Sequence, residues 1–288
     1  MSEGLSWERD GADWPHRQAS RFVVASGMRW HVQQWGQGPT CLLLHGTGAA
    51  THTWRDVAPL LADRFNVVAP DLPGHGFSEA LAAHRQSLTG MAAAISELLE
   101  TLDARPTLAV GHSAGAALLA RMALDGCIAP DTIVSLNGAF LPFRGVAGRF
   151  VGPLARLLAI NPLVPRLFAW GAGGGATVER LIRSTGSSLD ARGAELYGRL
   201  LRNPVHVAGA LAMMANWDLE SLKRQLPELK ARLVLVACGD DGAIPPEDAF
   251  RVRDAVPGAT VTYLRHLGHL AHEERPDLVV AAIVNAAH

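Results

Sequence analysis

The run Thr107-Leu108-Ala109-Val110-Gly111-His112-Ser113-Ala114-Gly115 constrains the fold more than any other stretch of this chain. An apolar, strand-like segment passes directly into Ala114 to Leu124, which is helical by spacing and propensity. A G-x-S-x-G at such a junction is a nucleophile elbow. Gly111 and Gly115 are needed because the turn is tight and packs closely against neighbouring backbone. The serine between them is held in a strained conformation with its hydroxyl lifted above the sheet. The helix N-terminus behind it favours developing negative charge. Without a strand and a helix on its flanks, the same five residues would mark only a glycine-rich turn.

The rest of the chain repeats the alternation. Strand-like runs fall at Cys41–Leu44, Phe65–Ala69, Thr107–Val110, Thr132–Leu136, Leu233–Ala237 and Thr260–Leu264, after a β-hairpin joined at Ser26-Gly27. Met91, Ile95, Leu98, Leu99 and Leu102 share one helical face, and Pro276 opens a helix reaching Ala287. Fully apolar strands alternating with helices imply an α/β fold, a mostly parallel sheet covered on both faces. Residues 21–140 and 231–288 form that core, and residues 1–20 are a polar extension with Trp7 and Trp14 as anchors. Residues 141–230 lack a convincing strand and read as a helical cap inserted over the carboxyl edge of the sheet, where open α/β sheets bind ligands.

Composition narrows the function. The chain has 288 residues, 49% hydrophobic and 18% charged, with a formal net charge of -1. That balance excludes disorder and excludes a nucleic-acid binder driven by bulk charge. Cys41, Cys127 and Cys238 are an odd number set far apart, as expected of reduced thiols in a cytoplasmic protein. The N-terminal residues lack the basic start and apolar stretch of a secretion signal. The longest candidate span, 150–170, is interrupted by Pro153, Arg156, Pro162, Pro165 and Arg166, so it is expected to touch a membrane rather than cross one.

A serine hydroxyl needs a base, itself oriented by an acid. The strand Leu233–Ala237 runs into Cys238-Gly239-Asp240-Asp241-Gly242, and Thr260–Leu264 runs into His266-Leu267-Gly268-His269. Acid and histidine therefore fall on loops at the edge where Ser113 emerges. His269 is the preferred base because Gly268 permits a tight loop, with His266 and His272 as competitors. Three histidines at a spacing of three also raise a metal site, but no carboxylate is clearly placed to complete it. Asp240 and Asp241 are both candidates for the acid. The oxyanion of acyl transfer needs preorganised donors. Leu44-His45-Gly46-Thr47-Gly48 ends a strand in an exposed glycine loop, so the amides of Thr47 and Ala114 are the natural pair. His45, His112, Asn216 and Trp217 are candidates for the pocket lining. No cofactor is called for.

Taken together, these residues resemble the α/β-hydrolase fold family from about Arg21 to the C-terminus. The likeness rests on His45-Gly46, Asp71-Leu72-Pro73-Gly74-His75-Gly76-Phe77-Ser78, Gly111-His112-Ser113-Ala114-Gly115, Asp241 four residues before Pro245, and Gly268-His269 followed by Glu274-Arg275-Pro276. The family places its acid four residues before that proline, which implies Asp241. It also places glycine three residues before the acid, where this chain has Cys238. Serine at the elbow separates the chain from the dehalogenase and epoxide hydrolase branches, which carry aspartate there. The closer likeness is to the magnesium-chelatase accessory proteins of bacteriochlorophyll synthesis. It is carried by Asp10-Gly11-Ala12-Asp13-Trp14-Pro15, His45 to Trp54, Leu136-Asn137-Gly138-Ala139 and Leu267 to Glu274.

The catalytic residue types point to a serine hydrolase acting through an acyl-enzyme, and that likeness implies a role beside magnesium insertion into protoporphyrin. The alternative it implies is an accessory protein that binds a porphyrin or the magnesium chelatase. Residues 141–183 add Arg144, Arg149, Arg156, Arg166, Arg180 and Arg183 against one acid, Glu179, among many leucines. A basic, apolar, proline-broken lid suits a porphyrin or another amphipathic carboxylate, or peripheral contact with an anionic photosynthetic membrane. Arginines on the solvated face of amphipathic helices would give the same composition.

Overall fold

Ser26 and Gly27 both take positive φ, 57° and 73°, the pair of left-handed residues that a two-residue hairpin turn requires. They join β1 (Ser20–Ala25) to β2 (Met28–Trp35). The computed structural model describes residues 4–142, 163–171 and 174–287. Six further strands complete one sheet: β3 (Thr40–Leu44), β4 (Asn66–Pro70), β5 (Pro106–His112), β6 (Thr132–Leu136), β7 (Arg232–Cys238) and β8 (Thr260–Leu264). Their order is β1-β2-β4-β3-β5-β6-β7-β8. The β1–β2 and β2–β4 pairs are antiparallel and all later pairs are parallel. Every strand-like run of the sequence is a strand, though the one expected at 65–69 starts a residue later. This is the α/β-hydrolase fold.

Alternation of side chains explains why the central parallel strands are largely buried along both faces. Along β3, Leu42 and Leu44 enter the core on one face of the sheet, while Cys41 and Leu43 enter the core on the other. The first face is covered by α2 (Leu88–Thr101) and α3 (Ala114–Leu124), the second by α1 (Ala58–Leu61) and α11 (Pro276–Ala286). Helix α2 starts where the Ser87 hydroxyl accepts the Gly90 amide, and Met91, Ile95, Leu98 and Leu99 are its buried face. All three cysteines are free thiols, Cys41 and Cys238 buried and Cys127 half-buried.

Between β6 and β7 the described residues hold no strand. They form α4 (Leu163–Gly171), α5 (Gly175–Ser184), α6 (Ala191–Leu201), α7 (Pro204–Ala215) and α8 (Leu219–Gln225). Beyond β7 come α9 (Glu247–Ala255) and α10 (Ala271–Glu274). Arg144, Arg149, Arg156, Leu154, Leu157, Leu158 and Ile160 lie outside the described residues. The N-terminal residues bind both parts of the molecule. The Trp7 ring packs edge-on against Phe22 and Phe77, and Trp14 donates its indole N–H to Thr51. Asp13 pairs with Arg192 and Arg199 of α6. Among the described residues no helix is long and apolar enough to cross a membrane.

Candidate active site

Ser113 stands between β5 and α3 at φ 52°, ψ -117°, a backbone region costing on the order of 1–3 kcal/mol. The neighbouring glycines show what enforces it. A Cβ on Gly115 would lie 2.2 Å from the Leu44 carbonyl oxygen, and one on Gly111 would lie 2.4 Å from the Ala116 nitrogen. The strained residue is pinned on both sides: its N–H donates to Leu136 O at 3.0 Å and its carbonyl accepts from Ala116 and Ala139. Ala114 is the first residue of α3, so its amide is among those with no acceptor inside the helix.

Asp241 and His269 meet at the carboxyl ends of β7 and β8. His269 Nδ1 lies 2.8 Å from Asp241 Oδ2. The other oxygen, Oδ1, accepts the amides of Ala243 and Ile244 at 2.8 Å each, which locks the carboxylate. Asp240 is exposed. His269 and Ser113 line one cavity of ≈ 270 Å³ together with Gly46, Thr47, Gly48 and His112. Its walls are Leu181, Ile182, Leu201, Ala243 and Leu270, with the Tyr197 ring among them. With Nδ1 engaged, Nε2 is the ring nitrogen left for that cavity. Thr47 sits in a turn closed by Ala49 N–H to Gly46 O at 3.2 Å, with Gly48 at φ +78°.

The other two loop histidines go elsewhere. His266 is exposed at φ 59°, whereas His272 is buried with Nε2 2.6 Å from the Thr53 hydroxyl. Burial holds His272 down at about 3. His112 does line the cavity, its ring 4.6 Å from that of His269 and 4.4 Å from that of His272. It donates Nε2–H to the His269 carbonyl at 3.0 Å, and burial holds its pKa well below the usual imidazole value.

Three residues expected in the lining are not among the described residues that line this cavity. His45 is fully buried: Nδ1–H donates to Gly46 O at 2.8 Å and Nε2 accepts the Leu72 amide at 2.9 Å, so it ties two loops together. Asn216 ends α7 and turns its amide back to Ala212 O. Trp217 packs against the α2–α3 side of the core. Both belong to the exit of a helix and the hydrophobic contact that follows it.

Several residues that brace the site had no role assigned from the sequence. Thr185 O, from the β6–β7 insertion, accepts the amides of His269 (3.1 Å) and Gly242 (3.0 Å). The Ser187 hydroxyl accepts the Leu270 amide, and Glu274 accepts both Gly268 N and Ser188 N. Beneath them Glu273 is buried against Arg55, Thr53 (2.6 Å) and Tyr197 (2.8 Å). Burial raises the Glu273 carboxyl above its usual range although Arg55 opposes the shift. Asn137 lies in the Leu136–Ala139 stretch that carries the likeness. Its amide nitrogen donates to the carbonyls of Gly268 and His269, and its oxygen accepts Cys238 N, so it spans the acid and histidine loops. An Asn-Gly pair at a strand end was the available cue.

Comparison with known proteins agrees with this architecture. A family profile described as "Alpha/beta hydrolase family" matches residues 41–282. The chain is 37% identical over 268 residues to the magnesium-chelatase 30 kDa subunit of Rhodobacter capsulatus, covering 92% of this chain and 93% of that one. It is 30% identical over 258 residues to the pimeloyl-[acyl-carrier protein] methyl ester esterase of Methylococcus capsulatus, covering 85% and 94%. Among solved structures, an alpha/beta hydrolase fold protein from Burkholderia ambifaria superposes with a TM-score of 0.79 at 22% identity, covering 99% and 100%. An esterase from Exiguobacterium antarcticum gives 0.76 at 16%, covering 92% and 98%.

Proposed function

The chain belongs to the alpha/beta hydrolase family, and from that premise we propose that it is a serine hydrolase working through an acyl-enzyme, with Ser113 as nucleophile, His269 as base and Asp241 as its orienting acid. The observation that carries this reading is the 2.8 Å contact of His269 Nδ1 with Asp241 beside a cavity that Ser113 also lines. Asp241 fixes the tautomer in which Nδ1 holds the proton, so Nε2 is the basic nitrogen. Ser113 Oγ attacks an ester carbonyl as Nε2 takes its proton, and the tetrahedral oxyanion is held by the Thr47 and Ala114 amides. Nε2–H then protonates the departing alkoxide. Water, deprotonated by the same nitrogen, releases the acid and restores Ser113. Serine–histidine contacts are commonly long in empty sites and tighten with substrate.

The walls support a substrate class. Leucine, isoleucine and alanine surround the serine, and ≈ 270 Å³ lies near the low end of small-molecule pockets, roughly 300–1,000 Å³. The described cavity suits a short apolar acyl or alkoxy arm. The name of the Rhodobacter capsulatus relative supports placing that arm on a porphyrin or another amphipathic carboxylate handled beside magnesium chelatase. A fluorophosphonate should label the wild-type protein and leave Ser113→Ala untouched. A folded wild type that never labels refutes the reading.

A second reading rests on α4. Leu163, Leu167 and Trp170 are 56, 64 and 83% exposed on one face, with exposed Arg166 between them and no acid in the helix. That stripe fits an anionic membrane surface, with the protein acting there as an accessory that binds porphyrin or chelatase. Co-sedimentation with anionic vesicles, lost in Leu167→Asp/Trp170→Asp, tests the surface. A Soret shift with protoporphyrin, weakened by replacing Arg166, Arg180 and Arg183 with alanine, tests the binding.

A further inference from the structure

One imidazole outside the cavity joins the insertion to the loop that carries Thr47. His206 lies in the first turn of α7, where the Asn203 side-chain oxygen accepts the amides of Val205 (3.0 Å) and His206 (3.1 Å) and Pro204 fills the first helical position. The helix start is therefore fixed, and the ring is 2% exposed. Its two nitrogens have opposite duties. The Gly76 amide donates to Nδ1 at 3.0 Å, so Nδ1 carries no proton. Nε2 carries it and donates to the Gly48 carbonyl at 3.1 Å. A single neutral ring thus spans the loops that leave β4 and β3.

The same face of α7 grips the turn again on the other side of Thr47. Gly209, three residues on, lies so close to Gly74 that a Cβ would come within 2.1 Å of the Gly74 oxygen. Met213, seven residues on, receives the Thr47 hydroxyl at its sulfur, 3.5 Å away. Sulfur is a weak acceptor, so the Gly48 bond is the stronger of the two holds. It acts on the residue directly after Thr47, in a turn whose left-handed Gly48 gives the backbone little stiffness of its own.

We propose that His206 is a positioning residue: through its Nε2–H···O=C bond to Gly48 it fixes the Gly46–Ala49 turn so that the Thr47 amide points at the oxyanion formed on Ser113. The role rests on the serine-hydrolase reading. Removing an oxyanion donor outright costs on the order of 10²–10³ in rate, so loosening one is expected to cost about 10- to 100-fold.

The test exploits the ring's two ends. Glutamine places an amide N–H where Nε2 stood and keeps the Gly48 bond. Asparagine places a carbonyl where Nδ1 stood and keeps only the Gly76 bond. Inactivation by a fluorophosphonate, whose phosphoryl oxygen occupies the oxyanion position, is followed in wild type, His206→Gln, His206→Asn and His206→Ala, with thermal midpoints alongside. The expected result is a limiting inactivation rate close to wild type for glutamine and about 10- to 100-fold lower for asparagine and alanine, with the reagent's half-saturating concentration unchanged. A general structural role would lower the midpoints without separating glutamine from asparagine in rate. Equal rates for those two variants, or a loss confined to the half-saturating concentration, overturn the proposal, and their contrast decides even if the alanine variant does not fold. A wild type that never labels overturns the hydrolase reading and this role with it. A wild type that labels no faster than His206→Ala overturns the role alone.

Discussion

Acid should weaken this protein well above the carboxylate range, because its fold buries imidazoles in neutral form. Burial holds His206 at about 4 and His272 at about 3. In the unfolded chain both titrate near 6.5. Their folded values lie below the unfolded ones, so as pH falls through 6.5 the unfolded state takes up protons that the folded state refuses. Stability is therefore full above 6.5 and declines down to the folded value, by about 1.4 kcal/mol per pH unit per group. Between pH 7 and pH 5 each imidazole should remove roughly 2 kcal/mol, and the pair roughly 4, from a total that for most domains is about 5–15 kcal/mol. His45, His52, His75 and His112, all pushed down first by burial, act in the same sense. Glu273, pushed up by burial, acts in the opposite sense. Urea unfolding at the two pH values and constant ionic strength measures the difference. His206→Gln should recover roughly 2 kcal/mol of the loss, since glutamine does not titrate. Stability that is flat between pH 7 and pH 5, or a slope untouched by that substitution, would refute the reasoning.

Three further outcomes follow from single contacts. Asp241→Asn leaves a hydrogen-bonding group beside His269 but favours the wrong tautomer, so fluorophosphonate labelling should slow by roughly 10³–10⁴-fold while the circular dichroism spectrum is kept. Gly186→Ala puts a Cβ 1.7 Å from the Asp240 oxygen at a residue with φ +78°. It should cost about 3 kcal/mol or more in urea unfolding and slow labelling as Thr185 is displaced from His269. Glu273→Gln leaves the buried Arg55 guanidinium without its principal counter-charge and should cost about 3 kcal/mol by the same measurement.

What was legible in the sequence follows from chain locality. The strands were readable because parallel strands covered on both faces read as near-continuous apolar runs, as Cys41–Leu44 of β3 and Leu108–Val110 of β5 do. The Ser113 turn was readable because its steric needs fall on residues two positions away. Likewise, the acid and histidine loops announce themselves at strand ends. The preference for Asp241 over Asp240 came from a resemblance, and the carboxylate does lie on His269. His45, Asn216 and Trp217, expected in the lining, stand outside the described cavity for a different reason. Adjacency to a functional segment says nothing about which way a side chain turns, and each turns to satisfy a backbone group or a core face. Thr185, His206 and Tyr197 were invisible because what matters is the place to which the insertion folds back. Thr185 contributes only a carbonyl, which every residue type has.

That last group changes what the insertion is for. An appended lid would contact the cavity through side chains alone and could be exchanged without touching the machinery beneath it. Here one carbonyl at 185 holds the amides of both His269 and Gly242, the ring of His206 holds Gly48 and Gly76, and the Tyr197 hydroxyl meets a carboxylate buried under the histidine loop. On the hydrolase reading, Thr185 braces both base and acid loop, and His206 braces the oxyanion turn. Substitutions meant to enlarge the apolar walls at Leu181, Ile182 or Leu201 should therefore be tolerated where they spare these braces. A swap of the whole insertion for that of a relative should cost turnover even when the substrate still binds. The comparison is direct: point variants of the walls should change the half-saturating concentration of an ester, and the swap should change its limiting rate.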